Sequence, residues 1–478
     1  MPTPDQPSAA RSAVSRGPFR GAFDRMSRNL LGGPGRVPGA DIARGIAVLG
    51  MFTAHMGVTS DDISTLEGWL SLAHGRSSIL FATVAGVSLA LFTGGAKPFT
   101  GEVMRTARAR ILVRAVLLLA LVGVLDLLDG RVLLILGFYA AYFVLALPFL
   151  RMPPSRLAAT AMIIAVVGPF LAYYGPEALA RAGLRAPHDG SGAVTDFLLT
   201  GHYPAVVWMA YVLAGLAVGR CDLRSPTLRL GLVAGGFGLA TVSSLASAYL
   251  VADAGGIEAI DRQFTMTSFE YLVSTPPTWS DPWPPLAGLY LEGPHDDTMF
   301  EALGSGGFAL GMVGLCLLVG ARGGTGGTGG AGSADGGGAR QVARRVVLAV
   351  TAPLAAVGAL ALTVYSAQIV VIWWWTRSGV DLLTSPSNGP LGVMVLSALA
   401  AATLWRALFG RGPLERVFAG ITRRAFPTPE RTLDAAPDAQ PDAGPDAGPD
   451  AGPDAGPDTA PDPTSDPALR TSPDRRSS

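Results

Sequence analysis

Three ionisable side chains, Asp41, Arg44 and His55, lie in the apolar stretch DIARGIAVLGMFTAH. Arg44 and His55 are eleven residues apart, which is about 1100° of helical rotation, so a helix places both on one side, roughly 16 Å apart along its axis. Asp41 shares that side, three residues before Arg44. A guanidinium suits phosphate oxygens, and an imidazole suits proton transfer near neutral pH. The spacing therefore predicts one helix that presents an anion-binding group and a titratable group to one interior.

A second basic pair opens the third apolar run of the chain. Arg110 and Arg114 are four residues apart and occupy one helix face. We expect them to join Arg44 in holding phosphates. Two other interpretations stay open: basic residues at inner span ends satisfy membrane topology by themselves, and Arg44 can snorkel to the interface or pair with Asp41.

The other histidines fall on the opposite side of the predicted membrane. His74 opens the second apolar run and His202 the sixth, while His188 and His295 lie in outer loops. Outward-facing imidazoles fit a site where an acceptor loses a proton, and we expect His74 and His202 to line it. The alternative is that these four are interfacial histidines without a role.

Asp126 is the remaining candidate for the acceptor side. It lies inside the outer end of the third apolar run, where a carboxylate needs a partner. Arg131, Arg76 or a nearby histidine would serve. A structural ion pair and a catalytic one are equally good interpretations of Asp126.

Composition places these residues in a membrane protein. The chain has 478 residues, of which 49% are hydrophobic and 15% charged. Several apolar runs approach the ~20 residues that span a bilayer. We predict an all-α, polytopic bundle of about ten transmembrane helices, and the overlong ninth run is expected to tilt or bend. The runs lie near 42–59, 77–94, 111–128, 132–150, 156–174, 204–220, 228–252, 300–320, 346–375 and 390–409.

Charge is segregated between the loops in a way that supports this count. Arginine and lysine concentrate in alternate loops, and acids in the others. The positive-inside rule then predicts cytoplasmic N- and C-termini in a multi-pass protein of the plasma membrane. No motif for nucleic acid, and no metal-ligand spacing, is present in the sequence.

Three segments are predicted to lack regular structure. They are the basic cytoplasmic tail 1–40, the flexible Gly-rich loop 321–343 and the tail 430–478, in which a PDAG motif repeats. Proline and glycine exclude helix there, and like charges keep the last tail extended. The predicted functional domain is therefore 41–420.

The first apolar run resembles that of the transmembrane acyltransferase superfamily, whose acyltransferase-3 branch has Arg, ten residues and then His. Arg110 and Arg114 are similar to the paired arginines of a later span in that superfamily. The closer resemblance is to YeiB-like proteins and the heparan-α-glucosaminide N-acetyltransferase catalytic domain. Four segments carry it: GRSSILFATVAGVSLAL at 75–91, TGHYPAVVWMAYVLAGLAVGR at 200–220, ALTVYSAQ at 361–368 and GRGPLERV at 410–417.

This resemblance implies an acyltransferase that takes an acetyl or acyl group from cytoplasmic acetyl-CoA or another acyl-CoA, without a metal. The acceptor would be an outer amine or hydroxyl of a saccharide or lipid-linked glycan. Arg44, Arg110 and Arg114 would hold CoA phosphates, and Asp41 would orient Arg44. His55 would act as general base or transient acyl carrier.

Two other functions use the same sequence features. A transporter or flippase of lipids or saccharides would need a polar interior but would not cleave a thioester. A scaffold or sensor subunit would tolerate loss of Arg44 and His55. The partners that we expect are the lipid bilayer and a saccharide or glycan acceptor, and we expect no nucleic acid. A homo-oligomer is also compatible with the sequence.

Overall fold

The computed structural model describes residues 26, 29–30, 36–128, 132–183, 194, 196–263, 283–323, 337–380 and 386–427. The chain divides into two units, Met1–Pro429 and Glu430–Ser478. The predicted tail 430–478 lies outside the described residues, as do most of 1–40 and part of 321–343. Arg131 and His188 also lie outside them.

All regular elements in the described part of the chain are helical, as predicted. The α-helices are α1 Pro38–Met56, α2 Leu66–Ser71, α3 Arg76–Phe92, α4 Gly101–Asp126, α5 Leu136–Leu145, α6 Pro154–Arg181, α7 Ala205–Gly219, α8 Pro226–Asp253, α9 Met299–Gly323, α10 Gly337–Ala359, α11 Ala361–Arg377, α12 Gly389–Phe409 and α13 Pro413–Ala425. Short 3-10 turns occupy Leu147–Arg151 and Leu286–Tyr290, and a π turn occupies Asp196–Thr200.

Helix occupies most of each predicted apolar run, although 132–150 includes both α5 and a 3-10 turn and 346–375 includes both α10 and α11. The count of ten spans is not established. Among the described residues, α6, α8, α9 and α12 are long and apolar enough to cross a membrane, and the α10–α11 pair makes a fifth if it is one span. The helices α3, α5 and α7 are shorter than a full span. The membrane-type helical architecture is therefore confirmed, with four or five spans supported by length and composition.

The expected bend in the ninth run is confirmed. The axes of α10 and α11 meet at 78°, with the break at Leu360. A broken helix leaves carbonyl groups of its first half and N–H groups of its second half without helical partners. In a membrane protein such groups are tolerated where they are buried in protein or line a cavity.

The centre of the bundle is formed by α1, α3 and α7. Nearly all of α7 is buried, including Trp208 and Leu213, and α1 buries Ala47 and Met51. By contrast, α8 and α12 expose large apolar side chains such as Leu245 and Val393. Helices of the second kind are typical of a lipid-facing rim. The ionisable side chains of α1 consequently belong to a central helix.

Glycine lets the central helices approach one another closely. A Cβ atom at Gly86 in α3 would lie 2.0 Å from the carbonyl oxygen of Val212 in α7. Likewise, a Cβ atom at Gly358 in α10 would lie 1.8 Å from the carbonyl oxygen of Asp41 in α1. Small residues at helix crossings are how membrane bundles pack. The second contact seats the start of α1 against the α10–α11 break.

Candidate active site

Arg44 is held in place by three neighbouring groups. Its Nη1 donates to Asp41 Oδ1 at 3.0 Å and to the Gly358 carbonyl oxygen at 3.1 Å, while Nη2 donates to Ser88 Oγ at 2.6 Å. Asp41 also accepts from Arg36 Nε at 2.5 Å. Because α10 ends at Ala359, the Gly358 carbonyl is one of the groups released by the break. Asp41 and the broken helix together fix the guanidinium of Arg44.

The second half of the broken helix has its own cap. Glu415 of α13 accepts from Thr363 N at 3.1 Å and from Thr363 Oγ1 at 2.6 Å. A carboxylate at the N-terminus of a helix is favourable, because unpaired N–H groups and the helix dipole both attract it. At the bend, an arginine from α1 and a glutamate from α13 therefore both lie near the start of α11.

A cavity of about 310 Å³ lies beside this bend. Arg44 and Arg114 both line it, with Ser88, Tyr139 and Glu415, and apolar side chains form most of the remaining wall. The charge of Arg114 acts on both Arg44 and Glu415. Two guanidinium groups that share one cavity have the chemistry to bind phosphate or carboxylate groups.

Arg110 does not line this cavity with Arg114. It donates from Nε to the carbonyl oxygen of Phe426 at 2.8 Å, at the end of α13. Arg114 is one helical turn further along α4. The structure thus brings Arg44 and Arg114 together and places Arg110 beside the C-terminal helix.

His55 lies in the last turn of α1, half-buried against α11. Its Nδ1 is 3.1 Å from Nε2 of Gln368, and its ring meets that of Tyr365 edge-on, with the centroids 6.5 Å apart. His55 is not among the lining residues of the Arg44 cavity, whose wall includes Tyr139. Both predicted groups of α1 face other helices of the bundle, but they lie in different surroundings.

A third cluster contains two of the outer histidines and two acids. The His202 ring lies 5.5 Å from that of His295, and the His295 ring stacks on Trp208 at 6.3 Å. Trp208 Nε1 donates to Asp297 Oδ1 at 3.0 Å. The carboxylate of Glu301 accepts from the backbone N–H of His295 at 2.9 Å and from that of Asp297 at 2.7 Å.

The backbone and charge states of this loop are unusual. His295 and Asp297 have φ angles of 66° and 50°, a region that non-glycine residues adopt at a cost of about 1–3 kcal/mol each, mostly at functional sites. Burial and the nearby Glu301 raise the pKa of Asp297 to about 8. Burial and the charge of His202 lower the pKa of His295 to about 4. Both side chains are thus largely uncharged at neutral pH.

The remaining predicted residues occupy different positions. His74 is half-buried, and its charge acts on both His55 and His295. Asp126 is exposed at the C-terminal end of α4, and Arg76 lies over the ring of Phe308, 5.7 Å from its centroid. Among the described residues, no group of three His, Cys, Asp or Glu side chains is arranged to hold a metal ion.

Several residues of these clusters are absent from the sequence prediction. Gln368 carries no charge to signal its role, and the sequence places His295 among the outer histidines without singling it out as a site residue. One signal was present: Thr298 and Glu301 have the spacing of a helix N-cap and its third residue. In the structure Thr298 Oγ1 accepts from Glu301 N at 3.1 Å. The cap therefore marks where the loop joins α9.

A comparison with known protein families finds a match to one segment in the first half of the chain. Residues 36–243, from the start of α1 into α8, match the family model of the catalytic region of heparan-alpha-glucosaminide N-acetyltransferase. Neither the curated proteins nor the solved structures include a match. Members of this family in general use acetyl-CoA as donor. Residues 36–243 of this chain therefore belong to the heparan-alpha-glucosaminide N-acetyltransferase catalytic-domain family.

Proposed function

We propose that this chain is an integral membrane acyltransferase. It moves an acetyl or acyl group from a cytoplasmic acyl-CoA to an outer amine or hydroxyl of a saccharide or lipid-linked glycan. The observation that carries the proposal is the cavity shared by Arg44 and Arg114, two residues of the family-matched segment, with part of its wall supplied by α10, α11 and α13 beyond that segment. Two cations that share a largely apolar cavity repel each other, and an anionic ligand between them would relieve that repulsion.

The donor occupies the Arg44 cavity in this proposal. Guanidinium groups bind phosphate oxygens through charge-assisted hydrogen bonds. Arg44 is oriented by Asp41, whereas Arg114 projects into the cavity from α4. Arg110, one turn before Arg114 on the same helix, adds positive charge where the CoA nucleotide would enter. The cavity of about 310 Å³ is at the small end for ligand sites, so it suits part of a CoA molecule rather than the whole.

His55 acts between donor and acceptor, and His74 and His202 line the acceptor side together with His295. As general base, His55 takes the proton of the acceptor amine or hydroxyl. The acceptor nitrogen or oxygen then bonds to the thioester carbonyl carbon, the C–S bond breaks, and the CoA thiolate takes a proton from inner water. As acyl carrier, His55 would itself bond to the thioester carbonyl carbon as the C–S bond breaks; the acceptor nitrogen or oxygen would then bond to that carbon as its bond to the imidazole breaks. Asp126 is left at the outer rim by its exposed position.

The test is release of free CoA thiol by purified, reconstituted protein given acetyl-CoA and glucosamine. We expect His55→Ala to abolish release, because no other base occupies its position. Arg114→Gln should raise the KM for acetyl-CoA about tenfold, since one charge-assisted hydrogen bond is worth about 1.5–3 kcal/mol. Arg105→Gln is the matched control, because Arg105 is exposed and pairs with Glu102 at 2.7 Å. Full activity of His55→Ala would remove His55 from the mechanism.

A transporter of lipids or saccharides is the second candidate. The break between α10 and α11 favours it, because broken helices at membrane depth often form transport sites. The two functions differ in one measurement. A transporter would move labelled saccharide across a vesicle membrane without cleaving acetyl-CoA, and an acyltransferase would yield one CoA thiol for each acetylated acceptor.

A further inference from the structure

Helix α11 supplies two buried polar side chains to the surroundings of His55. Gln368 and Tyr365 are three residues apart, share one face of α11, and are each only 2% exposed. Both contact the imidazole, Gln368 by a hydrogen bond and Tyr365 by its ring. This helix lies beyond residues 36–243, the part that matches the family.

The carboxamide of Gln368 is only half satisfied. Its Nε2 pairs with His55 Nδ1 at 3.1 Å. Its Oε1 is buried and has no hydrogen-bond partner in the described part of the chain, and neither has the buried Oγ of Ser366. Leaving an acceptor buried without a partner destabilises the folded protein. Such an atom in a native structure calls for a functional reason.

The orientation of this amide determines which nitrogen of His55 carries the proton. When Nε2 of Gln368 donates to Nδ1, the neutral imidazole must carry its hydrogen on Nε2. The basic nitrogen of His55 is then Nδ1, and its lone pair is already occupied by the hydrogen bond from Gln368. When the carboxamide turns over, Oε1 accepts from Nδ1–H, and the Nε2 of His55 becomes the basic nitrogen.

We infer that Gln368 is the positioning residue of His55, selecting by rotation of its carboxamide the tautomer in which Nε2 of His55 is the reactive nitrogen. This rests on the proposed function, in which His55 takes the acceptor's proton. The proton moves from the acceptor N–H or O–H to Nε2 of His55, and Oε1 of Gln368 stabilises the Nδ1–H of the resulting imidazolium. The proton then returns to outer water, which restores the starting tautomer.

The kinetic test compares two substitutions of one residue. Gln368→Met keeps the side-chain length but removes both hydrogen-bonding ends, so kcat should fall at least about tenfold while the KM for acetyl-CoA is unchanged. Gln368→Glu offers only acceptor oxygens, so it should retain kcat and move the acid limb of the pH–rate profile to higher pH, because a carboxylate favours the imidazolium. The other titratable groups beside His55 are His74 and Tyr365. Val370→Ala, at an exposed position of α11, is the matched control.

A second measurement separates this inference from the proposed function. Nitrogen chemical shifts of His55, in histidine-labelled full-length protein and assigned by difference with His55→Ala, report its tautomer without any turnover. We expect the tautomer populations to differ between wild type, Gln368→Met and Gln368→Glu. Identical shifts in all three would overturn the role of Gln368, even if thiol release is seen. Absence of thiol release with altered shifts would overturn only the acyltransferase.

Discussion

At the residue scale, the loop before α9 holds a carboxyl group in an environment that favours its neutral form. Asp297 accepts a hydrogen bond from Trp208 Nε1 and lies near Glu301, so ionisation of both acids would place two negative charges together. The raised pKa of Asp297, about 8, follows from burial first and from Glu301 second. The neutral carboxyl is therefore part of what keeps the His295 loop folded.

The stability of the protein should accordingly fall on the alkaline side through Asp297. Its pKa is 3.8 in an unfolded chain and about 8 in the folded protein, so its stabilising contribution is full below pH 3.8 and is lost as the pH rises through about 8. Asp297→Asn keeps an acceptor for Trp208 and cannot ionise. We expect its melting temperature in detergent to change less between about pH 5 and about pH 9 than that of the wild type. These two pH values enclose the folded-state pKa of Asp297, so only the wild-type side chain ionises between them. Parallel pH profiles for the two proteins would contradict this.

At the element scale, the close packing of α1 against α10 determines the position of the Arg44 side chain. Gly358 has no room for a Cβ atom, because Asp41 O would be 1.8 Å away and Gly45 N 2.7 Å away. Arg44 donates to the carbonyl of this same residue. Any displacement of α10 from α1 would therefore lengthen a hydrogen bond of the candidate donor site.

Gly358→Ala should destabilise the protein and weaken donor binding together. Overpacking of this kind costs about 1–3 kcal/mol, and the displaced carbonyl would raise the KM for acetyl-CoA. Gly392→Ala is the matched control, because Gly392 lies in α12 and has no atom within 4 Å of a Cβ position. That substitution should leave melting temperature unchanged or slightly higher. Equal thermal stability of the two variants would show that α1 and α10 are not held at this contact.

The elements were more predictable from the sequence than their contacts. Apolar runs predict helix, so most of each run is helical, and the excess length of the ninth run predicts its bend. The Asp41–Arg44 pair was predictable because helical spacing determines it. The contact of His55 with Gln368 was not, because the two are 313 residues apart and meet only through the bend before α11. Long-range polar contacts in a bundle depend on helix packing, which hydropathy does not encode.

At the scale of the whole molecule, charge is the property that predicts which side faces the cytoplasm. The α3–α4 segment carries Lys97 and opens onto the arginines of α4, whereas the α1–α2 segment carries Asp61 and Asp62. Basic segments are retained in the cytoplasm. This orientation would place the Arg44 cavity towards the cytoplasm and the His202–His295 cluster towards the outside, as a donor and an acceptor in different compartments require.

Cysteine labelling in intact cells tests that orientation. The two native cysteines, Cys221 and Cys316, are first replaced by serine and alanine. Ser64→Cys and Thr100→Cys then place single thiols at exposed positions on the two sides of the predicted membrane. We expect a membrane-impermeant maleimide to label the Ser64→Cys protein in intact cells and the Thr100→Cys protein only after permeabilisation, because the predicted topology has the α3 segment crossing the bilayer between them. Labelling of both in intact cells would mean that α3 does not span, and the transfer of an acyl group across the membrane would lose its structural basis.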